Sequence, residues 1–141
     1  MKKLLTLSFS YLLFIACNKD ESGTPTCTTT AATIAGTYKI IASTYKETPT
    51  SDEVDEYSLM DACEKDDLIE LNSNNTYNAT DAGIACSPRS DESGSWSLSG
   101  STLTIEGDPV TIQSFDCKTL VLILADYDVA GDQLIVTFQK Q

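Results

Sequence analysis

The chain contains no histidine among its 141 residues. That excludes Ser–His and Cys–His nucleophilic pairs. There is no Cys-x-x-Cys pair either, so no zinc site is expected, and no metal ligands are assigned. Basic residues are scarce, 9 Lys+Arg against 21 Asp+Glu, for a formal net charge of −12. A surface of that sign repels nucleic acid and anionic headgroups, and neither is an expected partner. Its default meaning is a solvated exterior. No apolar stretch reaches the roughly 20 residues that a membrane-spanning helix needs. A convincing helical period is missing as well. Only SDEVDEYSLMDA (51–62) has room for a turn or two, with Ser51 as N-cap.

What is present begins with Met1-Lys2-Lys3 and the uncharged run Leu4 to Ala16, thirteen residues ending on a small side chain. These are the parts of a secretory signal peptide, residues 1–16. Cys17 follows at once, and "FIAC" resembles the lipobox of bacterial lipoproteins, with Phe14 where Leu is usual. The resemblance implies that the Cys17 thiol is acylated and the preceding peptide removed. Several acyl chains hold a protein on a bilayer where one would not. Lys19, Asp20 and Glu21 come next, resembling the surface-export signal of Bacteroidetes lipoproteins, a Lys followed by two acids. The expectation is an outer-membrane lipid anchor with the protein exposed at the cell surface. The plain alternative for the triplet is a polar linker. Loss of Lys2 and Lys3 leaves seven basic residues against 21 acidic ones, a charge of −14 on one domain's length of chain.

Residues 17–33 are rich in Thr, Ser, Gly and Pro and read as a lipidated N-terminus and flexible tether. From Ile34 to Gln141, runs of β-branched and aromatic residues alternate with turn signals. The runs are 36–47, 67–72, 76–81, 94–99, 102–107, 109–115, 119–127 and 133–140. Trp96/Leu98, Leu103/Ile105 and Leu134/Val136/Phe138 show period two. Eight strands joined mostly by tight turns predict an all-β, antiparallel, up-and-down β-barrel with little helix. The rival is a β-sandwich.

Strict up-and-down order gives the two ends different loops. If the first strand starts at the bottom, the 73–75, 99–101 and 116–118 turns lie at the bottom. The 48–66, 82–93, 107–108 and 128–132 connections lie at the top. One end is closed by tight turns and the other carries the long loops, as a cup requires. Cys17 apart, the four cysteines divide the same way, an even number that in an exported domain reads as two disulfides. Cys63 and Cys86 fall at the top, Cys27 and Cys117 at the bottom. Bridged Cα atoms lie within about 7 Å, so Cys63–Cys86 and Cys27–Cys117 are the expected pairs.

GTYKI (36–40), ACEKDDLIELNSNNTY (62–77), Cys86 and SGSWSLSGSTLTI (93–105) resemble the lipocalin-like domain of small Bacteroidetes lipoproteins. GTY stands where lipocalins carry Gly-x-Trp near the barrel base, with Tyr38 in place of the Trp. The resemblance covers most of residues 34–141 and implies an eight-stranded barrel. It brings no activity with it, because fold alone does not give function.

Candidate chemistry is sparse, and no enzyme activity and no cofactor are expected. A carboxylate pair for glycoside hydrolysis has candidates in Asp52, Glu53, Asp55, Glu56, Asp61, Glu64, Asp66 and Asp67. These acids crowd the long loop, whereas catalytic acids belong in a partly apolar cleft. DYDVAGD (126–132) has the alternating acids of a calcium loop but Ala130 and Thr137 where ligands should stand. The expected interior set is Tyr38, Ile40, Tyr77, Trp96, Leu98, Leu103, Ile105, Leu122, Leu134, Val136 and Phe138. It reads either as a filled core or as a ligand-lining wall. Two functions follow: a binding protein holding a small apolar ligand at the open end, or an interaction module that recognises a protein or glycan through acidic top loops. A cavity of a few hundred Å³ favours the first. A filled barrel with an exposed aromatic patch on the loops favours the second.

Overall fold

The computed structural model describes residues 27–141. Cys17, Lys19, Asp20 and Glu21 lie outside the described residues. Helix α1 (Ala31–Ile34) leads into β1 (Gly36–Lys46), followed by a two-residue β2 (Val54–Asp55), a 3₁₀ turn (Tyr57–Leu59) and helix α2 (Ala62–Lys65). The remaining strands are β3 (Leu68–Leu71), β4 (Thr76–Thr80), β5 (Glu92–Ser99), β6 (Thr102–Ile105), β7 (Asp108–Phe115), β8 (Thr119–Ala125) and β9 (Gln133–Lys140). All pairings are antiparallel, neighbours follow chain order, and β9 pairs back onto β1. That closure makes an eight-stranded barrel and removes the sandwich alternative. β2 is an extra strand on the upper half of β1, through Thr44↔Asp55 and Tyr45↔Val54.

The folded unit takes in more of the N-terminal segment than the pattern from Ile34 onward suggests. Thr30 and Thr33 form a reciprocal capping box that starts α1. The helix delivers Ile34, fully buried, into the lower end of the barrel. The Tyr38 hydroxyl donates to the Ile34 carbonyl at 2.5 Å. Lys140 Nζ donates to the Thr33 and Ala35 carbonyls at 2.8 and 2.6 Å. Trp96 Nε1 donates to the Asn72 carbonyl at 2.9 Å, fixing the β3–β4 turn beneath the indole. Around these groups Leu71, Tyr77, Leu103, Ile112, Leu120 and Leu122 complete the buried core. Burial pushes the Tyr38 phenol up to about 12.

The helix expected from Ser51 does not form. The Ser51 hydroxyl donates to the Thr48 carbonyl at 2.8 Å and accepts from the Thr48 N–H at 3.0 Å. That local ring competes with helix initiation. Val54 and Asp55 then pair with β1, a single 3₁₀ turn forms at Tyr57–Leu59, and an α-helical turn appears only at α2, where Asp61 and Glu64 make a capping box.

Two bulges adjust which side chains face inward. The register of β1 on β9 shifts between Ile40 and Ala42. Ile41 is the extra residue and is 42% exposed. Beyond it the inward side passes to Ser43 and Tyr45, where an unbroken period of two would have placed Ala42 and Thr44. A second shift lies between Ile112 and Ser114 in β7.

Candidate ligand cavity

The two halves of the barrel are filled differently. Below, a void of about 40 Å³ is lined only by apolar side chains, Tyr38, Leu103, Ile105, Leu122 and Phe138 among them. That is close to one water's share of liquid volume, roughly 30 Å³, and too small for a ligand. Above it lies a cavity of about 600 Å³, inside the roughly 300–1,000 Å³ range of small-molecule sites. Ile40, Ser43 and Tyr45 of β1 and Leu134 and Val136 of β9 supply its strand wall. Glu56, Leu59, Met60 and Glu64 contribute from the β1–β3 connection, and Tyr127 and Asp128 from the β8–β9 loop. Around this end, Val54, Leu59, Ile84, Tyr127 and Val129 are exposed apolar side chains, Leu59 at 71%.

The β8–β9 loop owes its shape to a buried carboxylate. Asp132 is 1% exposed. It accepts the N–H groups of Tyr127, Asp128 and Val129 at 2.6, 3.0 and 2.9 Å and the Tyr45 hydroxyl at 3.0 Å. Burial alone would raise its pKa, but these donors outweigh burial and hold the carboxyl below its ordinary value. The Tyr45 phenol is pushed up, first by burial and then by its hydrogen bond to Asp132 and the nearby negative charges. Asp126 accepts the Gly131 N–H at 2.7 Å. The alternating acids of 126–132 are therefore turn-builders at two of three positions, and Asp128 alone of the three lines the cavity.

The other top loops are fastened in a similar way. Cys63 and Cys86 are bonded, with Cα atoms 5.2 Å apart. Asp81, 5% exposed, accepts the Cys86 N–H at 3.1 Å. Asp66 and Asp67 accept the N–H groups of Ile84 and Ala82 at 2.8 and 3.2 Å. Burial, more than the neighbouring Asp81 and Asp66 charges, pushes the Asp67 pKa up, while its hydrogen bonds oppose the shift. Of the eight long-loop acids, only Glu56 and Glu64 line the cavity. At the lower end Cys27 and Cys117 are bonded, with Cα atoms 5.6 Å apart. Both disulfides are the pairs the end-parity argument expects.

The expected interior set divides between the halves. Ile40, Leu134 and Val136 line the large cavity. Tyr38, Leu103, Ile105, Leu122 and Phe138 surround the lower void. Tyr77, Trp96 and Leu98 pack in the core away from both. Sequence reasoning missed Ser43 and Tyr45, because the β1 bulge leaves no periodic trace. It also missed Leu59, Met60 and Tyr127, although apolar side chains inside acidic loops were the available signal.

A family model described as a lipocalin-like domain matches residues 34–122. No curated protein matches the chain. The match ends before the β8–β9 loop and β9, so Tyr127, Asp128, Leu134 and Val136 of the cavity lie beyond it.

Proposed function

Since the chain belongs to the lipocalin-like domain family, we propose that it is a binding protein that holds a small apolar molecule in the upper cavity. It acts without catalysis and is anchored to the outer membrane through lipid on Cys17. The observation that carries this reading is the cavity of about 600 Å³ above a closely packed lower barrel. Its deep wall is apolar, its mouth has exposed Leu59 and Tyr127, and both are suited to taking an apolar body out of water.

On this reading the tether enters the barrel at the end opposite the cavity mouth. Cys27 is tied to the β7–β8 turn at the lower end. Cys27 follows Cys17 by ten positions, a reach of at most roughly 35 Å. The cavity then faces away from the membrane, which fits display at the cell surface directed by Lys19, Asp20 and Glu21. The "FIAC" and "KDE" stretches support a Bacteroidetes lipoprotein setting. The interaction-module reading needs a filled barrel; the open upper half favours the ligand-binding one.

The test is mass spectrometry of lipids extracted from the full-length protein purified from its cell envelope, beside a Ser43→Phe variant. The wild type is expected to carry a small apolar molecule. The variant, whose phenyl ring intrudes into the cavity from the β1 wall, should lose it while melting cooperatively. Retention of the same molecule by Ser43→Phe, or an empty wild type, sinks the reading. In parallel, fatty-acid labelling that survives Cys17→Ser would remove the anchor. Unchanged protease accessibility on intact cells after Lys19, Asp20 and Glu21 are replaced by Ala would remove the export signal.

A further inference from the structure

Resting on the ligand-binding reading above, we infer that the cavity selects an amphiphilic cation, an apolar body carrying a protonated amine. The lining has two chemistries. Ile40, Leu134 and Val136 form an apolar wall, while Glu56, Glu64 and Asp128 add carboxylates and no basic residue lines the cavity. Near a protein surface a unit charge about 4 Å from another interacts several times more strongly than in bulk water. A fatty-acid headgroup would meet three like charges, a neutral alcohol would meet acceptors only, and an ammonium would meet its complement.

The cations of the upper end are engaged elsewhere. Lys46 pairs with Glu53 at 3.1 Å. The Lys65 ammonium lies 5.1 Å from the centre of the Tyr57 ring. Arg89 pairs with Asp91 at 2.9 Å. Among the described residues, Glu56 and Asp128 have no ion-pair partner. Glu64 is partly committed, since its Oε2 accepts the Asp61 N–H at 2.8 Å.

An independent observation comes from inside the cavity. Ser43 lines it and is only 4% exposed. Among the described residues only Asp66 Oδ1 is a buried side-chain atom without a partner, so the Ser43 hydroxyl, which forms no protein hydrogen bond, opens onto the cavity space. There a polar atom of the occupant can bond it, which an entirely hydrocarbon molecule cannot do.

The experiment uses the full chain carrying Cys17→Ser, so that no acyl group competes for the cavity. Decylamine, decan-1-ol and decanoate, equal in chain length and different in head charge, are titrated calorimetrically below their aggregation concentrations. Decylamine is expected to bind about fivefold more tightly than decan-1-ol, as about 1 kcal/mol of exposed ion pairing gives. Decanoate should be weakest. The decylamine advantage should shrink as salt rises. In a Glu56→Gln/Asp128→Asn variant of unchanged melting temperature, decylamine and decan-1-ol should bind alike. If decan-1-ol or decanoate matches decylamine on the unmutated cavity, charge selection is overturned and the apolar-ligand reading stands. If none of the three binds, the apolar-ligand reading fails and this inference goes with it.

Discussion

The lower and upper ends of this barrel use the same strands and reach opposite states. Below, Ile34 from α1 enters between the strands, Trp96 covers the β3–β4 turn, and Cys27–Cys117 ties the N-terminal segment to the β7–β8 turn. Above, β1 runs far past its four-residue pairing with β3, and only the two-residue β2 covers that edge. β1, eleven residues long, therefore stands above its four-residue neighbour β3. The long β1–β3 connection arches over the gap and leaves about 600 Å³ beneath it. Strand alternation alone does not decide whether a small barrel is hollow. Unequal strand lengths, and the segments outside the strands that insert or fail to insert, decide it.

The sharpest way to break that contrast is truncation at each end. Trp96→Ala removes a side chain that is 3% exposed together with its bond to Asn72. We expect a loss of about 3–5 kcal/mol. Leu59→Ala, at 71% exposure on the cavity mouth, should cost no more than about 0.5 kcal/mol. Denaturant unfolding of the two variants measures both. Equal losses would mean that the upper end is packed as a core and that the two halves do not differ.

The disulfides sharpen the comparison at smaller amplitude. Cys27–Cys117 spans 90 residues and Cys63–Cys86 spans 23. By the chain-entropy relation the first stabilises by about 4.6 kcal/mol and the second by about 3.5 kcal/mol. Paired Cys→Ser variants should keep that order in unfolding free energy. Ligand retention should respond the other way: loss of Cys63–Cys86 frees the loops around the mouth, while loss of Cys27–Cys117 leaves them stapled. Equal impairment of ligand retention by both would argue that the mouth is not held independently of the base.

The lower half was largely legible in the sequence and the upper half much less so. Trp96/Leu98 and Leu103/Ile105 announce their faces by alternation, and parity of strand direction suffices to pair the cysteines. Leu120 was missed because TLVLILADY is apolar at both parities, so the pattern does not say which set points inward. Ile34 was missed as core because it stands at the border of the tether, ahead of the first alternating run at 36–47, and the Thr30/Thr33 capping box turns it into a plug. The cavity wall depends on the bulge at Ile41, a backbone feature that no residue type signals there. Asp132 looked like a cation ligand by spacing; buried with four donors, it is a turn's internal acceptor.

The smallest expected effect concerns acid, and it again sets one end against the other. Asp132 above and Asp116 below both have pKa values held beneath the ordinary 3.8. At Asp132 burial opposes the shift and its hydrogen-bond donors overcome it. At Asp116 the N–H groups of Thr119 and Lys118, at 2.5 and 2.9 Å, lead the shift on an exposed side chain. A carboxyl depressed in the folded state binds its proton later than it does in the unfolded chain. Its contribution to stability is therefore complete above the unfolded value and is lost as pH falls through the folded one. At pH 7, Asp132→Asn and Asp116→Asn should both unfold more easily than the wild type, Asp132→Asn by more, because it leaves buried donors facing an amide. As pH falls through the folded values both gaps should narrow, since the wild-type carboxyls then take up their protons. Denaturant midpoints at pH 7 and along the acid titration read this directly. A gap for Asp132→Asn that stays constant over that titration would show that its carboxylate charge does not hold the β8–β9 loop, and the loop's role as a fixed wall of the cavity would need another cause.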